Sequence, residues 1–237
     1  MKVLIIIPAY NEELNIENTI NKLMKYNNDA KNKVDYIIIN DGSTDKTREI
    51  CEKNNYNVIN LIYNLGIGGA VQTGYKYAFA NNYDIAIQFD GDGQHDEKYI
   101  KNLVEEIKKG SNFVVGSRFI SNLSKFKSSG TRRFGIKVLS LLIKICTGRK
   151  ICDPTSGFRA ADKDVIKLFA SHYPMEYPEP ESTTMLIKRG VKVGEIPVEM
   201  HEREFGKSSI RPLKSVYYMF SVCLSIIITS INNGGRK

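Results

Sequence analysis

Five short apolar runs punctuate the first half of the chain, with helix-like segments between them, and this rhythm restricts the fold more than any other feature. The runs are "KVLIIIP" (2–8), "VDYIIIN" (34–40), "YNVINLI" (56–62), "YDIAIQF" (83–89) and "NFVVGS" (112–117). Each is nearly continuous rather than alternating, the pattern of strands buried on both faces. The segments between them, near 12–26, 44–54, 68–81 and 97–109, are long enough for crossover helices. The spacing predicts an α/β fold: a mainly parallel central sheet flanked by helices and built from right-handed βαβ units. In such sheets ligands lie beyond the carboxyl ends of the strands, so the residues after each run carry the functional information.

A chain of 237 residues that is 42% hydrophobic can bury such a core unaided, as one large domain or a domain with an appendage. Cys51, Cys146, Cys152 and Cys223 show no C-x-x-C spacing and read as reduced core thiols in a cytosolic setting, not as a zinc or disulfide framework. The N-terminal apolar run, Val3 to Ile7, is ended by Pro8 and is too short for the core of a signal peptide.

Four strand ends carry polar or glycine-rich loops: "PAYNEE" after the first, "NDGSTDKT" after the second, "NLGIGGAVQTG" after the third and "DGDGQHD" after the fourth. Ser43 or Thr44 is expected to cap the helix that follows the second. "GIGGAV" lacks the third glycine of G-x-G-x-x-G and follows the wrong strand for a dinucleotide fingerprint. In the fourth loop Asp90 and Asp92 stand two apart around Gly91, a spacing that can hold a hard cation through oxygen ligands while leaving positions for phosphate oxygens. The EF-hand ladder is absent. His95 is open to two readings, a ligand or a hydrogen-bonding neighbour.

Charge is concentrated in one band. From Ser117 to Lys150 there are nine Lys or Arg and no acid, while the rest of the chain is close to neutral. Such a band suits nucleic acid, an anionic membrane or a phosphorylated substrate. Within it Phe134, Val138, Leu141, Leu142 and Ile145 share a helical stripe beside basic residues, the pattern of a helix lying on anionic lipid, with a core-packed helix as the alternative. Val216 to Ile231 is a further uncharged, mainly apolar stretch of 16 residues. As a helix it would reach about 24 Å against a hydrocarbon core of about 30 Å, which favours a membrane-seated or buried helix over a full span.

Taken with their order, "IIPAYNE", "NDGSTDKT", "NLGIGGAVQTG", "DGDGQHD", "GSRF", "DPTSGFR" and "EREFGKSS" resemble the glycosyltransferase family 2 enzymes of the GT-A fold, in the branch of polyprenyl-phosphate and dolichyl-phosphate sugar transferases. The resemblance spans roughly residues 2–210. It implies a catalytic domain over 1–210; the apolar stretch that follows reads as a membrane-associated C-terminal helix within 211–237. Pro8, Ala9, Tyr10, Glu12, Asp41, Gly68, Gly69, Asp90 and Gly91 would line the nucleotide-sugar site. Asp90, Asp92 and Gln94 would hold Mg²⁺ or Mn²⁺, and Glu179 and Glu181 would serve as base or acceptor-positioning groups. Arg118, Arg132, Arg133, Asp153, Ser156 and Arg159, with Arg203, Lys207 and Ser208 of a closing loop, would face the acceptor or the diphosphate.

The implied activity is inverting, metal-dependent transfer of a sugar from a nucleotide-diphosphate sugar, UDP-sugar ahead of GDP- or dTDP-sugar. The implied acceptor is a polyprenyl phosphate or lipid-linked glycan, in cell-envelope polysaccharide or glycoconjugate synthesis. The implied location is the cytoplasmic face of the cell membrane, peripheral or monotopic. Two other readings stay open. A nucleotidyltransferase of related sheet would place a glycine-rich loop with a basic residue after the first strand, where this chain has "PAYNEE"; a non-enzymatic protein could use the basic band to bind anionic lipid. No reader module for nucleic acid is evident, so none is expected as partner.

Overall fold

The computed structural model describes residues 1–30, 33–120, 130–201 and 212–232, and of 131–132 and 212–217 the backbone alone. All five predicted strands form: β1 (Val3–Ala9), β2 (Asp35–Asn40), β3 (Val58–Asn60), β4 (Ile85–Gln88) and β5 (Phe113–Ser117). Two more, β6 (Arg159–Asp162) and β7 (Val193–Pro197), complete a seven-stranded sheet of order β3-β2-β1-β4-β6-β5-β7. β6 runs antiparallel to both β4 and β5, and the other pairings are parallel. Periodicity does not reveal β6, because "RAAD" is four residues long with a charge at each end.

Alternation along β1 divides the core. Val3, Ile5 and Ile7 pack toward α1 (Ile16–Asp29) and α4 (Ile100–Lys108). Leu4 and Ile6 pack on the opposite face, toward α3 (Gly66–Ala80), α6 (Lys163–Ser171) and α7 (Pro178–Lys188). Successive side chains on a strand point to opposite faces, so an unbroken apolar run serves two cores at once. Gly74 meets the Ile6 side chain where α3 crosses β1; a Cβ there would overlap it.

α5 (Gly130–Thr147) and α8 (Pro212–Asn232) pack against each other on the outside of this body. α5 leaves much of the predicted stripe outward and buries a second one. Ile136, Leu139 and Ile143 are the buried face, whereas Phe134, Leu141 and Ile145 are exposed. The helix therefore carries apolar side chains on two faces, one in the core and one outside. On α8, Val222 and Ile226 enter the core while Phe220, Leu224, Ile228 and Ile231 are exposed. Gly135 lets the two helices approach: a Cβ there would lie 3.3 Å from Met219 Sδ. Among the described residues no helix is long and apolar enough to cross a membrane. Cys51 is buried; the other three cysteines, expected in the core, are only half-buried, and all four are free.

Candidate active site

The carboxyl ends of β1, β2 and β4 and the first turn of α3 enclose a crevice of about 650 Å³. Pro8, Ala9, Tyr10, Glu12, Asp41, Asp90, Gly91 and Asp92 line it. Gly68 and Gly69, expected beside them, do not. A Cβ on Gly68 would strike the backbone of Pro174 and Met175, and one on Gly69 would strike the Leu65 side chain. These two glycines serve helix packing; Gly66, with φ +76°, is the glycine that turns the chain at the crevice.

The first two loops are stitched to one another. Asn11, in the left-handed region at φ 55°, accepts hydrogen bonds from the backbone N–H of Thr44 (2.8 Å) and Asp45 (3.3 Å), while its own N–H donates to Ser43 Oγ at 3.0 Å. The N–H groups of Glu12 and Glu13 donate to Thr47 Oγ1 and Asp45 Oδ2. The expected cap from Ser43 or Thr44 is thus absent. The entry to α2 (Thr47–Lys53) is held by Asp45, which accepts from Thr47, and by Asn11 from the neighbouring loop. Tyr10 is left 48% exposed at the mouth, offering its ring face. Asp41 is 3% exposed and accepts from the N–H of Leu65 at 2.7 Å. Burial pushes its carboxyl up, and the N–H groups of Leu65 and Gly66 partly counter this. Asn40 bonds Asn60 and Ser43, a structural task.

The acidic loop is fastened from both sides. Thr19 and Lys22 of α1 donate to the carbonyls of Gly91 and Gly93. On the other side His95 bridges to Met200, and His201 N–H donates to Gln94 O at 2.8 Å. Asp96 caps the short turn before α4 by accepting from Lys98 N–H. Asp90 accepts from Gln88 Nε2 and His95 Nε2, each at 3.1 Å. Burial opposes its charge, yet His95, Gln88 and Arg159 together hold its carboxyl below the usual range. Asp92 accepts from Gln94 N–H at 3.1 Å and faces the crevice.

These groups fit a hard divalent cation. Among the described residues no cluster of three or more His, Cys, Asp or Glu could cage a metal by itself. Two carboxylates bordering a crevice suit Mg²⁺ or Mn²⁺ sharing its coordination with phosphate oxygens. The Gln94 side chain instead reaches His201 O at 3.4 Å.

The second half of the expected site is arranged differently. Arg118, expected at an acceptor phosphate, is 5% exposed and grips Asp153 through Nε (2.6 Å) and Nη2 (2.8 Å), with Thr155 as a third partner. Arg159 is 1% exposed and donates to Ser156 O, Pro154 O and Ser182 Oγ. Ser156 accepts from Phe158 N–H. Asp153, Ser156 and both arginines thus act as internal braces of the "DPTSGFR" loop, and Glu195 of β7 adds another by accepting from the N–H groups of Cys152 and Asp153. A guanidinium fork matches a carboxylate as well as a phosphate, and here Asp153 occupies the fork of Arg118.

Glu179 and Glu181 open α7. Two residues apart on a helix they face different ways. Burial pushes the Glu179 carboxyl up; Arg159 counters this and Asp90 adds to it, so Glu179 senses the Asp90 charge although it does not line the crevice. Burial also raises Glu181, with Glu176 just before α7 adding to this and Ser225 of α8 countering it. Arg133 is exposed at the start of α5. The Arg132 side chain and Arg203, Lys207 and Ser208 lie outside the described residues.

Some lining residues escaped the sequence reading: Asn11, Asn64 and Ala70. So did Gln88, which is 1% exposed and bonds Asp90. Its signal was there, as an amide inside an otherwise apolar strand.

Known proteins resemble this chain in sequence and in fold. The family model described as "Glycosyl transferase family 2" matches residues 4–169. The UDP-N-acetylglucosamine–dolichyl-phosphate N-acetylglucosaminyltransferase of Methanococcus voltae is 34% identical over 86% of this chain and 87% of its own length. The undecaprenyl-phosphate mannosyltransferase of Micrococcus luteus is 27% identical over 89% and 88%. Among solved structures, glucosyl-3-phosphoglycerate synthase from Mycobacterium tuberculosis, in complex with Mn²⁺, UDP and glucosyl-3-phosphoglycerate, superposes with a TM-score of 0.69 at 18% identity. It covers 100% of this chain and 81% of that one, a likeness of fold.

Proposed function

Because the chain belongs to glycosyl transferase family 2, we propose that this glycosyltransferase moves a sugar from a nucleotide-diphosphate sugar to a polyprenyl phosphate, with inversion at the anomeric carbon. The observation that carries this reading is the crevice itself, where an exposed aromatic ring, a buried base-side acid and the paired acids Asp90 and Asp92 border one space. Tyr10 offers its face to the base and Asp41 an acceptor oxygen to a ring N–H. UDP is the nucleotide we assign, ahead of GDP or dTDP, in keeping with the Methanococcus relative's name.

Asp90 and Asp92 would hold Mg²⁺ or Mn²⁺ against the diphosphate. The cation supplies charge neutralisation for the leaving group. The chain's residues do the rest: Tyr10 and Asp41 orient the nucleoside, and the wall formed by Pro8, Ala9 and Gly91 fixes the diphosphate beside the acids. An oxygen of the acceptor phosphate forms the new bond to the anomeric carbon as the bond to the diphosphate breaks on the opposite face, and the nucleoside diphosphate departs. A phosphate acceptor is already anionic and needs no base. A hydroxyl of a lipid-linked glycan would need one, and the raised carboxyl of Glu179, which senses the Asp90 charge, favours that residue for the task.

The outward apolar faces of α5 and α8, with Lys137, Lys144 and Lys150 around a second cleft of about 410 Å³, support peripheral seating on an anionic membrane at the cytoplasmic face. One experiment tests these points together. The protein is incubated with Mn²⁺ and UDP-, GDP- and dTDP-sugars, and with polyprenyl phosphate or lipid-linked glycan in anionic or neutral vesicles. Transfer from UDP-sugar to polyprenyl phosphate, with flotation on anionic vesicles only, is expected. Absence of transfer from every donor would overturn the reading, and transfer to the glycan alone would shift the assignment to Glu179-assisted chemistry.

A further inference from the structure

Asp90 lies on a loop with glycines on both sides of Asp92, one of them, Gly93, at φ +74°. The backbone ties of this loop do not by themselves set the direction of a side-chain carboxylate. Three neighbours do so. Gln88 Nε2 donates to Oδ1 and His95 Nε2 to Oδ2, both at 3.1 Å. Gly157 lies against the same carboxylate: a Cβ there would fall 2.5 Å from Oδ2 and 2.9 Å from Oδ1.

His95 is itself immobilised. It is 2% exposed, stacked on Phe158 at 4.8 Å and 23°, and met edge-on by Phe89 at 5.3 Å. A carboxylate offers only lone pairs, so the ring hydrogen belongs on Nε2. Nδ1 is buried, with no hydrogen-bond partner among the described residues. For packing alone a phenyl ring would fill this slot with no stranded nitrogen. What imidazole adds is the single N–H aimed at Asp90.

We infer that His95, together with Gln88, is a positioning residue that holds the Asp90 carboxylate in the one orientation able to share a divalent cation with the donor diphosphate. This rests on the cation reading proposed above. Residues that orient a metal-binding carboxylate through hydrogen bonds typically change metal affinity by about 10–100-fold when removed.

The test is Mn²⁺ binding to the full chain, read from the electron paramagnetic resonance signal of free Mn²⁺ with and without UDP, alongside thermal unfolding of each variant. His95→Phe keeps the stacking and loses the donor; it should bind Mn²⁺ about 10–100-fold more weakly while unfolding at a temperature close to wild type. His95→Gln, which restores an Nε2 donor, should regain most of the affinity. Wild-type affinity in His95→Phe, or a folded His95→Gln no better than His95→Phe, overturns the inference. Should His95→Phe fail to fold, Gln88→Met removes the other donor, and unchanged affinity there overturns it equally. No Mn²⁺ uptake by the wild type would overturn the cation reading and this inference together, whereas uptake that is indifferent to His95 overturns the inference alone.

Discussion

The two halves of the sheet use the same kinds of residue to opposite ends. On the β1–β4 side, Asp90 and Asp92 are turned to a crevice and fastened by a side-chain amide, a backbone N–H and an imidazole. On the β5–β7 side, charged groups are spent on one another and on buried backbone: Arg118 on Asp153, Arg159 on the loop before it, Glu195 on the N–H groups of Cys152 and Asp153. An acid facing a crevice can be approached by a ligand from that side. An acid in a closed ion pair fixes the wall behind it.

That contrast can be broken most sharply by removing one acid from each side. Asp153→Ala strands the buried Arg118 charge and should cost about 3–5 kcal/mol of stability in urea unfolding. Asp92→Ala should leave stability within about 1 kcal/mol yet lower cation-dependent transfer by about 100-fold or more. If Asp153→Ala unfolds like wild type while losing transfer, the brace is in truth part of the site. A smaller effect is expected at the loop seam: Asn11→Ala loses the cap on the second loop and should cost about 1–2 kcal/mol. It should also raise KM for the nucleotide sugar, while Asn11→Gly, which tolerates the left-handed backbone, should lose less stability. Equal stability of all three proteins would remove the seam.

The smallest effect concerns pH. Burial raises the Glu195 carboxyl above its ordinary value of 4.5, with the N–H groups of Cys152 and Asp153 countering in part. A raised acid favours the fold while protonated, so its contribution is fully present below the unfolded value and is lost as pH rises through the folded one. Glu195→Gln should therefore flatten the decline in stability above about pH 4.5. A wild-type and variant difference that stays constant with pH would refute the assignment.

The legibility of the sequence follows the same division. β1 to β5 were readable because long apolar runs bury two faces, and the crevice loops because Gly, Asn and Asp gather where strands end. β6 was not, being too short and too charged, and its insertion between β4 and β5 is fixed by pairing partners distant in sequence. Arg118 and Asp153 were visible as functional-looking residues, but nothing in one dimension tells a fork that awaits phosphate from one already holding a carboxylate. Gly68 and Gly69 were misread for a related reason: both a ligand and a neighbouring backbone exclude a Cβ. On α5 the outward stripe of Phe134, Leu141 and Ile145 was legible but the buried face of Ile136, Leu139 and Ile143 was not, since a helix apolar on two faces offers two equally good registers.

The late strand also orders events in time. A chain emerging from the ribosome as far as β5 already carries Asp90 and Asp92, together with His95 and Gln88, but neither the Phe158 ring nor the Gly157 clearance. Both arrive with the chain that leads into β6, which must thread between two strands made before it. Such distant pairings are slow to form. On the inference above, firm cation binding is then a property acquired only when the sheet closes, and Mn²⁺ uptake during refolding becomes a clock for the last step of assembly.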